Sequence, residues 1–205
     1  MYDEAGEIKG RFIVMELVRG KRLDELYDTV ENFKDISAPY YEKITRGLKL
    51  LLSIPVPPGT RPGPVGGERM RHTFFKDYEA AVPYESVDKL EEHMNNLATW
   101  FNESAPTVRL ERELHLVYSD LHLGNFMFTD SGDLYMIDFE HASFLPLSFM
   151  HFALHCPSVM SKPVAWHIRD HFKDLPNENF EVMHKISGLM LKSSATLGLT
   201  PRKRK

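Results

Sequence analysis

Between Val117 and His141 the chain reads VYSDLHLGNFMFTDSGDLYMIDFEH, which sets the oxygen-bearing side chains of Asp120, Asn125 and Asp138 among apolar neighbours. Such neighbours imply burial, and a buried carboxylate costs on the order of several kcal/mol unless it is paired, hydrogen-bonded or bound to a cation. Asp130-Ser131-Gly132-Asp133 lies between two short apolar runs, Phe126–Phe128 and Leu134–Ile137, and reads as the turn of a β-hairpin. Folding that hairpin returns Asp138 to the loop that carries Asp120 and Asn125, so the oxygen donors converge. An amide oxygen and a carboxylate suit magnesium, a hard cation that prefers oxygen ligands and keeps phosphate oxygens as partners. Asp120, outside that pair, is left to accept a proton. The pattern reads as a cradle for a divalent ion and its phosphate partners.

The elements that position these residues follow from periodicity. Phe12 to Val18 (FIVMELV) is an apolar run broken by Glu16 and reads as a buried strand ended by Gly20. Leu23, Leu26, Tyr27 and Val30 recur at helical spacing, and Ser37 is placed to cap a second helix carrying Ile44, Leu48, Leu51 and Leu52 on one face. Pro39 near its start is tolerated there. PVPPGTRPGPVGG, residues 55–67, has too much proline and glycine for helix or sheet and reads as a long loop within an insertion over 55–85. It reads as a structural insertion first and a substrate-side loop second rather than a phosphate-binding loop, because no Gly-Lys-Ser/Thr follows and its prolines remove amide donors. Ser86 caps a third helix with Leu90, Met94, Leu97 and Phe101 on its apolar stripe; His115–Tyr118 is a strand leading into the hairpin. Beyond Pro146 the pattern is helical again, ending with Phe180, Met183, Ile186 and Met190.

Composition bounds the setting. With 205 residues, 42% hydrophobic and 26% charged, the chain has the size and balance of one globular domain. A net charge of −4 gives no general attraction to nucleic acid or anionic membrane. Cys156 is the one cysteine, so no internal disulfide forms and a reducing, cytoplasmic setting is expected. The basic ending, residues 201–205, reads as a solvated tail and leaves a nuclear location open.

SDLHLGN matches the D-x-x-x-x-N catalytic loop of the protein-kinase-like fold, and IDFE stands where its metal-binding turn stands. In detail the chain resembles the aminoglycoside phosphotransferase and choline kinase family, with Asp120, His122 and Asn125 in the loop and Asp138 and Glu140 in the second motif. RPGPVGG and FLPLSFM resemble its large fungal branch. The resemblance covers roughly residues 11–155. It implies an α+β fold: a mostly helical kinase-like large (C-terminal) lobe over residues 21–200, a small catalytic hairpin, and a hinge strand within residues 1–20. It further implies that Asp120 orients or deprotonates an attacking hydroxyl, that Asn125 and Asp138 hold Mg2+ bridging ATP phosphates, and that backbone around Glu16 and Val18 hydrogen-bonds adenine. His122 would brace the loop. The sequence departs from the family where Tyr118 replaces a histidine, and where only 11 residues precede Phe12, so the small lobe with its phosphate-gripping lysine is expected to be absent.

The expected activity is phosphoryl transfer from ATP–Mg to a hydroxyl of a small molecule or protein, given a small lobe. The alternative is a catalytically impaired lobe that serves as a binding module, meeting a protein partner through apolar surface around Phe12 to Val18. Duller readings exist for each residue alone: Asp120 as a cap, Asn125 as a turn former, Glu16 as an edge-strand charge. Two motifs in the right order, 13 residues apart from Asn125 to Asp138, weigh against coincidence. A zinc hydrolase at His151 and His155 is disfavoured, because Phe152 stands where an H-E-x-x-H motif needs glutamate.

Overall fold

The computed structural model describes residues 14–29, 37–67 and 69–200. Within them the architecture is α+β, helices around two small antiparallel sheets. One sheet is the expected hairpin with a strand added. β1 (Gly20–Arg22) pairs with β4 (Phe126–Thr129), which pairs with β5 (Leu134–Met136). Gly20 sits opposite Thr129, and a Cβ there would collide with the Phe128 carbonyl, so the close approach of β1 requires glycine. The hairpin turn uses Gly132 at φ 80°, and Lys43 donates to the Gly132 carbonyl. In the other sheet β6 (Ala142–Leu145) lies between β2 (Gly63–Pro64) and β3 (His115–Tyr118).

Two expectations change here. Residues 14–19 form no strand and are mostly exposed, Val14 at 98% and Leu17 at 79%; Phe12 and Ile13 lie outside the described residues. An apolar run alone does not make a strand when no sheet edge is there to pair with it. The Pro/Gly loop, conversely, is not free of sheet: Gly63 and Pro64 pair with Phe144 and Ser143. They do so as an edge strand, where the missing proline N–H faces outward.

The helices fall where the periodicity puts them. They are α1 (Leu23–Thr29), α2 (Ala38–Leu52), α3 (Val87–Phe101), α4 (Leu147–His155), α5 (Lys162–Ile168) and α6 (Phe180–Lys192). Val30, the basic tail and the Phe101 side chain lie outside the described residues. Ser86 Oγ accepts from Lys89 N at 3.3 Å and caps α3, whereas Ser37 stands at the start of α2 without a side-chain capping bond. Leu90, Met94 and Leu97 are buried where α3 meets α6, and α2 packs on β3 with Ile44 and Leu48 buried. Among the described residues no helix is long and apolar enough to cross a membrane.

Polar groups also lock the core. Asn179 Nδ2 donates to Arg109 O at 2.9 Å and Ser148 Oγ at 3.1 Å, while its Oδ1 accepts from Arg109 N at 2.9 Å, tying the start of α6 to the start of α4. His72 is fully buried, its Nε2 donating to Phe149 O and its Nδ1 accepting from Phe74 N, both at 3.0 Å. Burial pushes its pKa from the usual 6.5 down to about 3, only partly offset by the Phe149 bond. Above pH 6.5 this histidine is neutral folded or unfolded. Below it the unfolded chain binds a proton that the folded chain refuses until about pH 3, so stability falls through that window at about 1.4 kcal/mol per pH unit. Urea unfolding at pH 7 and pH 5 should show a smaller acid loss in His72→Gln than in the parent; equal losses would contradict this.

Candidate active site

Asp120 and Asn125 are placed by β3 and by the turn at its C-terminal end. β3 ends at Tyr118, and Ser119 N donates to His141 O at 3.2 Å, which holds the loop against the start of β6. The chain then makes a short 3-10 turn, Leu123–Asn125, whose preceding residue His122 accepts from Gly124 N through Nδ1 at 3.1 Å. Helix α1 packs against this turn. Asn125 emerges buried, at 8% exposure, immediately before β4.

Asn125 Nδ2 donates to Asp120 Oδ2 at 2.9 Å and to Asp120 O at 3.1 Å. This pair of hydrogen bonds orients the amide: its nitrogen faces Asp120, so its oxygen Oδ1, in the same plane, points away from Asp120. Through its backbone Asn125 also accepts from Ile137 N at 3.0 Å, joining the loop to the end of β5. Asp138 follows at once. It adopts a left-handed conformation, φ 57° and ψ 73°, and begins the 3-10 turn Phe139–His141. Aspartate tolerates that region better than most residues but at a strain of on the order of 1 kcal/mol. Its Oδ1 accepts a long bond from Glu140 N at 3.4 Å.

Tyr118 ties these pieces together. Almost fully buried, it donates its hydroxyl to Ile137 O at 2.9 Å and packs its ring 5.3 Å from that of Phe139. Burial holds the hydroxyl well above its ordinary pKa, the carboxylates of Asp120 and Asp138 push the same way, and a contact with Asn125 pulls against them. One tyrosine thus senses all three candidate residues. Tyr118 thereby links the end of β3 to the segment that carries Asp138.

The structure brings Asp120 and Asn125 into contact and holds Asp138 one residue beyond Asn125's backbone partner. It does not bury them all. Asn125 is buried, Asp120 is half-buried and Asp138 is exposed; Asp120 and Asp138 lie past the ends of β3 and β5, where the strands no longer enclose them. Glu16 is exposed and Val18 half-buried in the irregular segment before β1. Glu140 is exposed and forms an ion pair with Arg71 of the insertion, a contact with no signal in the sequence. In type, the donor set of one amide oxygen and one exposed carboxylate suits a hard cation. Among the described residues no group of three or more His, Cys, Asp and Glu side chains is arranged to hold a metal ion. At the zinc alternative, the His151 and His155 rings stack face to face, 4.0 Å apart at 7°, rather than converging their nitrogens.

The APH family model, described as the phosphotransferase enzyme family, matches residues 1–149. The chain belongs to this phosphotransferase family. Its two motifs therefore lie inside the matched span. No curated protein is similar enough to match. Among solved structures, the ethanolamine kinase of Plasmodium vivax aligns over 92% of this chain at 16% identity and a TM-score of 0.38. The chain spans 60% of that kinase's length.

Tyr118→Phe removes one hydroxyl and leaves the Ile137 carbonyl without that donor. The expected cost is about 1–2 kcal/mol in urea unfolding, with faster amide exchange at Ile137. An unchanged midpoint and unchanged exchange would show that the tyrosine does not tie the two motifs.

Proposed function

We propose that this chain carries the large lobe of a protein-kinase-like phosphotransferase, moving the γ-phosphoryl group of ATP to a hydroxyl on a small molecule or protein. The observation that carries this reading is the pair of bonds from Asn125 to Asp120, continued through Ile137 to a left-handed Asp138. Family membership supports it. The assignment of a fungal-type branch rests on RPGPVGG and FLPLSFM alone.

In this reading Asn125 Oδ1 and the Asp138 carboxylate hold Mg2+, and the ion supplies charge neutralisation on the phosphate oxygens of ATP. Asp120, kept in place by the Asn125 amide, accepts the hydroxyl proton of the acceptor as its oxygen bonds to the γ-phosphorus. The bond from that phosphorus to the bridging oxygen breaks, and its electron pair leaves with ADP. Backbone around Glu16 and Val18 contacts the adenine, a role drawn from the family motif. Residues 21–200 are the large lobe, and the small lobe's grip on the phosphates is supplied outside them.

A second reading has one observation in its favour. Val14, Met15 and Leu17 stand in solvent, at 98%, 63% and 79% exposure, as a binding module without transfer activity would use them.

Calorimetry with Mg-ATP on the protein containing this chain, and on its Asp138→Asn and Asp120→Asn variants, separates the two. Magnesium-dependent binding should be lost or weakened at least about tenfold in Asp138→Asn. Asp120→Asn should still bind nucleotide but turn over about a hundredfold or more slowly. Nucleotide binding that ignores both magnesium and Asp138 would leave the binding-module reading in possession.

A further inference from the structure

A cleft opens at the start of β3, away from the motif residues. It has a volume of about 300 Å³ and lies between the last turn of α2, the first residues of β3 and α4, and the 3-10 turn Arg169–Phe172 that follows α5. Leu52, Leu147 and Leu175 are half-buried and give it apolar walls, backed by the buried ring of Phe172. Lys49, His171 and Asp174 stand exposed at its edge. None of Asp120, Asn125 and Asp138 lines it. β3 carries His115 at one end and Tyr118 at the other, roughly 10 Å apart at about 3.3 Å per residue, so the cleft and the motifs are separate places.

His115, which also lines the cleft, gives it a defined polar atom. Its Nδ1 lies 3.0 Å from Leu52 O, the carbonyl at the end of α2. A carbonyl only accepts, so Nδ1 carries the proton and the neutral ring keeps a bare acceptor at Nε2. Nε2 has no hydrogen-bond partner among the described residues; the Glu113 carboxylate stands 4.0 Å off, on a side chain that is 82% exposed. With the Nδ1 edge turned to α2, Nε2 is the atom this ring can offer. Lys49 supplies a donor to the same cleft. Its Nζ stands 5.4 Å over the Phe172 ring and forms no ion pair among the described residues. The fixed charges are therefore Lys49 and Asp174 at the edge, with Glu113 as a second carboxylate beside His115.

We infer that this cleft binds a small phenol. Its volume is about twice the roughly 150 Å³ that admits benzene in an engineered cavity, so one substituted ring fits. Leu52, Leu147 and Leu175 cover the apolar ring, as pocket walls do, while a few polar groups set its direction. The phenol O–H donates to His115 Nε2, and its oxygen accepts from Lys49. Lys49, Asp174 and Glu113 are all exposed, so their pull on a charged ring is small, and the partly buried Nε2 decides between ligands. An ether or a carboxylate of the same shape brings Nε2 a second acceptor and no proton. An amine could donate to Nε2, but it gives Lys49 nothing to bond; the phenol satisfies both. This site is independent of the phosphotransferase reading.

Imidazole nitrogen NMR during titration of the full chain reads the contact directly. 4-Ethylphenol should bind saturably at millimolar concentration and move the His115 Nε2 resonance. 4-Methylanisole, of similar shape but without the O–H, should bind about tenfold more weakly. His115→Asn keeps a donor nitrogen for Leu52 O and deletes Nε2, so it should weaken the phenol by about the same factor at an unchanged urea midpoint. Should that variant fail to fold, the resonance shift in the parent chain still decides. No saturable phenol binding, equal binding of the anisole, tighter binding of 4-methylbenzoate or 4-methylbenzylamine, or phenol binding that leaves the Nε2 resonance in place overturns the site. Loss of phenol binding in Asp138→Asn overturns it as well, because the ring would then belong to the second motif.

Discussion

Asn125 is held from two sides at once, and the candidate site exists because of it. Its side-chain nitrogen spans the backbone and carboxylate of Asp120, while its carbonyl takes the amide of Ile137. The first pair of bonds orients the amide; the second fixes how far Asp138 stands from it. With its nitrogen end so committed, the amide presents its oxygen away from Asp120. Tyr118 supplies the remaining brace by binding the other polar group of Ile137, its carbonyl. The two motifs are therefore locked through one residue, Ile137, whose amide and carbonyl go to different partners.

Much of this was legible in the residues themselves, and the reasons are local. His115–Tyr118 and the hairpin strands are short apolar runs bounded by turn residues, and Gly132 marks the turn because a positive φ is needed there. Helices α3 and α6 were readable from their buried stripes. Features that depend on distant partners could not be read. Phe12 to Val18 looks like a strand because composition registers apolarity and cannot register whether a sheet edge awaits it. Asp138 looked buried for a similar reason: its neighbours Ile137 and Phe139 are apolar, yet the left-handed backbone turns the segment out to solvent.

The insertion gives the sharpest contrast. Proline and glycine announced a loop, and the structure turns part of it into an edge strand on β6 and another part into a strained tip that delivers Tyr78. Nothing in the residue types Asp77-Tyr78 predicts paired positive φ values, since the anchors that impose them, Phe74, Phe75 and Ser193, belong to packing formed across the whole chain. The same long-range packing sets Arg71 against Glu140. The surroundings of the second motif accordingly have two origins, the motif's own local turn and the packing of the insertion against it.

The central claim, that the hairpin brings Asn125 and Asp138 to one divalent ion, is tested most directly by manganese used as a paramagnetic probe. With Mn2+ and ADP added in small amounts, amide NMR signals of Gly124, Asn125, Asp138 and Phe139 should broaden together and recover on excess Mg2+. Broadening confined to one of the two segments, or centred on His151 and His155, would contradict the account.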